Sequence, residues 1–270
     1  MGYFKNINFN NYRNFSSFKL DFNKGSNVIV GNNGCGKTNI LEAISLFQKG
    51  RGFRKEKIVN LINFKNQNSG FNISSDFQNN SINYGINVSI TEKNLKKLTV
   101  NKNSEKESLK NFDSLFSIIY FLPEMERLFL SPPSSRRNFI DRLIFCSNKS
   151  YNFEINTYKK AVSERQILLK NNNYDEEWIA NIEMNIVKFG IKIYKKRIFH
   201  IDLINNTLKE ININKNFAKD FNLKIYDLFL ENNFKIFEDE QKYYKIIKNN
   251  RKIDLMSGGC SIGPHKSDIL

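Results

Sequence analysis

The 270-residue chain is poor in cysteine, histidine and proline, and each shortage excludes something. Its three cysteines, Cys35, Cys146 and Cys260, are far apart, odd in number and form no C-x-x-C pair, which argues against a disulfide framework or a zinc site. The two histidines, His200 and His265, are too few for a histidine-rich metal centre. No apolar run approaches the ~20 residues of a membrane span. The N-terminal MGYFKNINFN lacks the continuous apolar stretch of a secretory signal. Asn6 stands where a myristoylation signal wants Ser or Thr. The expectation is a cytoplasmic protein with no membrane partner. Carboxylates are also scarce, with 27 Asp and Glu against 42 Lys and Arg, a net charge of +15. That balance invites a polyanion. Asn, Lys, Ile and Phe are crowded throughout, so part of the excess is compositional bias.

Periodicity gives the organisation. Alternating apolar residues over Tyr3 to Phe9 and Phe18 to Phe22 predict two strands with NYRN as the turn. The run Asn27 to Val30 predicts a short buried strand, and SIIYFL at 117–122 another. Further strands are expected over 71–77, 82–90 and 95–101. Ile40, Leu41, Ile44 and Phe47 fall at helical spacing, with Gly50 placed to end that helix. After Pro133 the texture turns helical. Phe139 to Ile144, Tyr158 to Leu169 and about Glu176 to Ile211 predict three helices, with NNNYD at 171–175 as a turn and Trp178 in the helical core. Helices joined by short polar turns pack antiparallel, so the expectation is a helical arm inserted into an α/β domain. Alternation returns at Phe221, Leu223 and Ile225.

Between the predicted strand and the first helix stands GNNGCGKT, residues 31–38, which fits G-x-x-x-x-G-K-[ST]. Glycine lets the backbone adopt φ > 0 and approach a phosphate closely. Successive N–H groups at a helix start form an anion nest. Gly31, Asn32, Asn33, Gly34, Cys35 and Gly36 would supply the cradle. Lys37 would neutralise β- and γ-phosphates, and the Thr38 hydroxyl would hold Mg²⁺. Such loops serve kinases, GTPases and motor ATPases alike.

The fuller spelling, GNNGCGKTN with YRNF at 12–15, resembles the ATPase heads of the SMC and RecF group. GRGFR at 50–54, Pro123-Glu124 with PSSRRNFID at 133–141, and GPHKSD at 263–268 narrow the resemblance to the RecF family. The resemblance covers nearly the whole chain, and three of the four prolines, Pro123, Pro133 and Pro264, fall within its last two motifs. It departs from the family pattern at Ser131-Pro132, Met125 and Ser267. The resemblance implies an α/β, ABC-type P-loop head with a mixed sheet over 1–124, a helical arm over 125–253, and a return to the head over 254–270. It implies ATP and Mg²⁺ as cofactors. It also implies an ATP-dependent homodimer, and RecO- and RecR-like partners. DNA, whether single-stranded, gapped or double-stranded, would be bound in recombinational repair, replication restart and the SOS response.

Arg13 would contact the nucleotide. Arg51, Arg54, Arg136 and Arg137 are the candidate DNA contacts, and His265 a structural hydrogen-bonding residue. Lys195, Lys196 and Arg197 read as a solvated face. The family's later signature and Walker B acids have no match here. SIIYFLPE has Pro123 where an aspartate belongs. The expectation is a fragment or truncated product whose weak DNA-dependent ATPase activity is open. A nucleotide-gated DNA-binding module without turnover, another SMC- or OLD-type ATPase, and a small-molecule kinase stay open as alternatives.

Overall fold

The alternation in the first 22 residues becomes a hairpin. In a computed structural model describing residues 2–48, 50–171, 174–215, 221–232, 236 and 239–270, strand β2 (Asn6–Tyr12) pairs antiparallel with β3 (Phe15–Asp21). The turn is Arg13-Asn14, with Arg13 at φ 52°. Beside them run β1 (Gly2–Phe4), β4 (Asn72–Asn79), β5 (Ile82–Ile90) and β6 (Lys96–Val100). The sheet order is β3-β2-β4-β5-β6, with β1 also on β4, and every pairing is antiparallel. Period-two spacing puts Ile73, Ser75 and Phe77 of β4 and Ile86 and Val88 of β5 on the buried face. Helix α1 (Lys37–Leu46) and helix α2 (Lys106–Leu115) contribute Ile40, Ala43, Leu46 and Phe112 to the same core. Burying each large side chain stabilises by about 1.5–3 kcal/mol. This sheet and its helices form one compact unit, residues 1–120.

Two expected strands of this part are not formed. Residues 27–30 form no strand, with Val28 85% and Val30 82% exposed, and only Ile29 packs on the core. Residues 117–122 are likewise without a ladder, and Ile119 is exposed. An apolar run becomes a buried strand only where a neighbour satisfies its N–H and C=O groups. No described strand lies alongside either segment.

The second unit, residues 121–270, opens with a 3-10 stretch, Pro123–Leu130. Then come α3 (Pro133–Ser147), α4 (Tyr151–Asn171) and α5 (Glu176–Lys215). Ion pairs join Arg165 to Glu183 and Glu154 to Lys196, so α4 and α5 run antiparallel. After them lie β7 (Ile225–Tyr226), α6 (Leu228–Asn232), α7 (Glu240–Asn249), α8 (Arg251–Ser257) and β8 (Asp268–Ile269). Residues 254–270 lie in the second unit, with β8 paired antiparallel to β7.

Two details correct the sequence reading. Trp178 is 58% exposed, because Ile179, Ile182, Ile186 and Ile193 form the inward stripe of α5. Arg197 is buried, not solvated. Its Nε and Nη2 donate to both oxygens of Asp141 on α3. Beneath the helices, Arg165 donates to Glu183 and to Asp254, and Arg251 donates to Glu183 and Glu176.

Candidate nucleotide-binding loop

The loop is shaped by its glycines. Gly34 lies at φ 81° and Gly36 at φ 105°, left-handed backbone that glycine adopts without a Cβ penalty. A Cβ on Gly36 would also sit 2.5 Å from Phe15 Cζ and 2.8 Å from the Asn14 amide, whereas one on Gly34 would meet open space. Gly36 caps α1, whose N-terminus has no side-chain cap and no acidic residue in its first turn. Its N–H groups and the positive end of the helix dipole are therefore left for an anion. Lys37 Nζ donates to the carbonyls of Gly31 and Asn32, at 2.7 and 2.9 Å, and so ties the loop to its own helix. Asn32, Asn33, Cys35 and Thr38 are exposed along the loop.

The β2–β3 turn braces this loop. Asn14 Nδ2 donates to the Cys35 carbonyl at 3.1 Å, and Asn39 Nδ2 donates to Asn14 Oδ1 at 2.9 Å. Arg54 Nη1 reaches Asn39 Oδ1 at 2.9 Å. At the centre is Glu42 on α1, fully buried. Its carboxylate accepts from Arg13 Nε and Nη2 at 2.9 and 2.8 Å, from Arg54 at 3.3 Å and from the Tyr12 hydroxyl at 3.2 Å. Burial, and next the charge of Glu42, raise the Tyr12 hydroxyl well above its ordinary value. Burial works against the charge of Arg13, but its hydrogen bonds to Glu42 and the charge of that carboxylate together outweigh it and raise the guanidinium above its ordinary value.

Sequence reading singled out Arg13 and Arg54 but missed Glu42, Asn14 and Asn39. The available signal was one acid inside the apolar helix run Ile40-Leu41-Glu42-Ala43-Ile44. Arg13, read as a nucleotide contact, has its guanidinium on Glu42 and on the Asn60 carbonyl. Arg54 joins the same cluster, while Arg51 is exposed.

The other candidate arginines lie in the second unit. Arg136 is buried and bidentate to Asp268, at 2.7 and 2.6 Å, and it also donates to the carbonyls of Phe129 and Ser131. Hydrogen bonding from Arg136 lowers the Asp268 carboxyl below its ordinary range. Arg137 is partly buried and donates to the Ser267 carbonyl. His265 Nε2 donates to the Cys260 carbonyl at 2.8 Å, so its Nδ1 accepts from the Tyr158 hydroxyl at 2.6 Å. Burial pushes the His265 ring below its ordinary value. Among the described residues no group of three His, Cys, Asp or Glu side chains could hold a metal, and no helix is long and apolar enough to cross a membrane.

A glycine loop bound by its lysine at an uncapped helix start defines the class, a P-loop ATPase head of α/β type. A family described as "AAA domain, putative AbiEii toxin, Type IV TA system" matches residues 26–253. The DNA replication and repair protein RecF of Clostridium botulinum (strain ATCC 19397 / Type A) is 32% identical over 269 residues, 99% of this chain and 72% of that protein. RecF of Clostridium beijerinckii is 31% identical over 271 residues, 99% of this chain and 71% of that protein. Two solved structures of the recombination mediator protein RecF in the RecFOR pathway superpose well. The RecF-ATPrS structure has a TM-score of 0.83 and 26% identity, over 99% of this chain and 72% of that one. The RecF-ATP structure has a TM-score of 0.80 and 28% identity, over 99% and 73%. The chain belongs to the RecF family of DNA replication and repair proteins.

Proposed function

We infer that residues 31–38 bind ATP and that nucleotide binding governs association with DNA during recombinational repair and replication restart. The observation that carries this reading is the free N-terminus of α1 under a glycine loop, with the Lys37 ammonium at its mouth. Phosphate oxygens would replace the Gly31 and Asn32 carbonyls on Lys37, while backbone N–H groups receive the rest of the charge. Mg²⁺ fits only as a shared ion. Thr38 offers one exposed hydroxyl, and nucleotide and water would supply the other oxygens. When bound, that ion would neutralise charge between the β- and γ-phosphates.

DNA contact would be chiefly to phosphates, with weak sequence preference, and Arg51 and Arg137 are the candidates whose guanidiniums have no carboxylate partner among the described residues. Single-stranded, gapped and duplex DNA, RecO- and RecR-like partners, an ATP-dependent homodimer, the SOS response and a cytoplasmic setting belong to the same reading. They rest on the family.

Replacing Lys37 by alanine tests the loop. ATP affinity, read with a fluorescent ATP analogue, is expected to fall about 30-fold, since a lost hydrogen bond between charged groups is worth about 2 kcal/mol. Wild-type affinity in that variant would remove the assignment. A second reading is nucleotide-gated DNA binding without turnover. It is favoured by Glu42, the carboxylate beside the loop, whose oxygens are committed to Arg13, Arg54 and Tyr12. Steady phosphate release from ATP would rule that second reading out.

A further inference from the structure

The second unit carries a cavity of about 260 Å³ outside the nucleotide loop, walled by Ser134, Arg137 and Asn138 of α3, Lys159 of α4, Arg197 of α5 and His265. One carboxylate, Asp141, also reaches it. Both Asp141 oxygens are taken, by Arg197 and by the Tyr151 hydroxyl. The neighbouring Arg136 has its own carboxylate in Asp268. Arg137 is different. Its one hydrogen bond among the described residues is to the Ser267 carbonyl, which leaves donors and a full charge unmatched. Lys159 makes no ion pair among the described residues. Three cations and one carboxylate thus give the wall a net charge of +2.

Burial first, and then repulsion from Arg197, bring Arg137 below its ordinary value. A phosphate diester supplies one negative charge. A phosphate monoester supplies between about 1.5 and 2 near pH 7, which matches the count. An arginine fork with hydroxyl and amide donors beside it is suited to phosphate oxygens. The wall behind is rigid. Tyr158 and His265 are locked to each other, and a Cβ on Gly263 would lie within 2.3 Å of the Tyr158 hydroxyl.

We propose that this cavity is a second phosphate site, selective for a monoester, with Arg137 and Lys159 as its charged ligands and Ser134 and Asn138 at its rim. The monoester is either the terminal phosphate of a nucleic-acid strand or free phosphate. Only the strand-end source rests on the DNA reading.

The test uses the full chain carrying Lys37→Ala, which silences the nucleotide loop. Inorganic phosphate is titrated by calorimetry. Strands phosphorylated at both ends, and the same strands with hydroxyl ends, are titrated by anisotropy. Phosphate is expected to bind. Arg137→Met and, separately, Lys159→Met should each weaken it about tenfold, the effect of one lost charge-assisted contact. Lys159 is exposed, so its variant folds even if Arg137→Met does not. Phosphorylated strands should bind about tenfold tighter than hydroxyl-ended ones, and both variants should erase that gap. If phosphate binds and each variant weakens it about tenfold while the two kinds of strand bind alike, free phosphate is the ligand and the site stands. Absence of phosphate binding, or binding indifferent to both substitutions, overturns the proposal.

Discussion

Glu42 does two jobs from one buried position. It neutralises Arg13 and Arg54, and through Arg54 and Asn39 it fixes the turn that holds the Cys35 carbonyl. Glu42→Ala leaves two arginines without their acid. Because both can still reach water, the expected loss is about 2 kcal/mol, below the 3–5 of a fully buried pair. Urea unfolding checks that figure, and a parallel drop in ATP affinity checks the brace. Lys96 is a second informative residue. Its Nζ donates to the Leu46 and Gln48 carbonyls at the end of α1, and burial pulls the ammonium down to about 8. Lysine in the unfolded chain titrates near 10.4. Between about 8 and 10.4 the unfolded chain therefore holds more protons, and this residue's contribution to stability improves as pH rises. Urea midpoints of the protein and of Lys96→Met should converge or cross in that window, by at most about 1.4 kcal/mol per pH unit. Parallel curves from pH 8 to 10 would mean that the lysine keeps its proton.

At the scale of elements, α1 is held at both ends by polar groups from other elements, and its middle by apolar packing. Asn14 of the hairpin turn serves the loop at its start, and Lys96 of β6 serves its last carbonyls. The long helices depend on a different device. Arg165 of α4 is 1% exposed and bonds Glu183 of α5, Asp254 of α8 and the Ile247 carbonyl of α7. Arg165→Met removes the cation shared by two buried carboxylates, so the second unit should lose about 3–5 kcal/mol, seen as an earlier unfolding transition. An unchanged transition would show that Arg251 suffices for Glu183 and the Ser261 N–H for Asp254. Element prediction succeeded where an element's partners are local or its pattern long. The strands at 72–79, 82–90 and 96–100 and the helix from Glu176 were legible because period two and period 3.6 persisted over many residues. Val28, Val30 and Ile119 misled, because a β run reports that it can be buried, not that a neighbour exists. Trp178 misled by one position on a helical stripe.

For the whole molecule, the net charge of +15 sets a prediction that needs no single residue. If DNA is bound through phosphates, the logarithm of affinity should fall linearly with the logarithm of salt, with a slope of about −0.7 to −0.9 per contact. A flat salt response would assign the basic excess to composition. The nucleotide loop was legible before folding was considered. Its pattern lies in contiguous residues, glycines for the backbone and Lys37 for the charge, so spacing alone is enough to recognise it. Periodicity also set a sheet-rich first half before a helical second half. What the arginines do depends on the folded chain. Arg13 meets an acid 29 residues away and Arg136 one 132 residues away. Folding likewise leaves Arg137 with an unmatched charge in a cavity. A guanidinium's role is set by which carboxylate folding brings to it, and local pattern carries no record of a partner that distant in the chain.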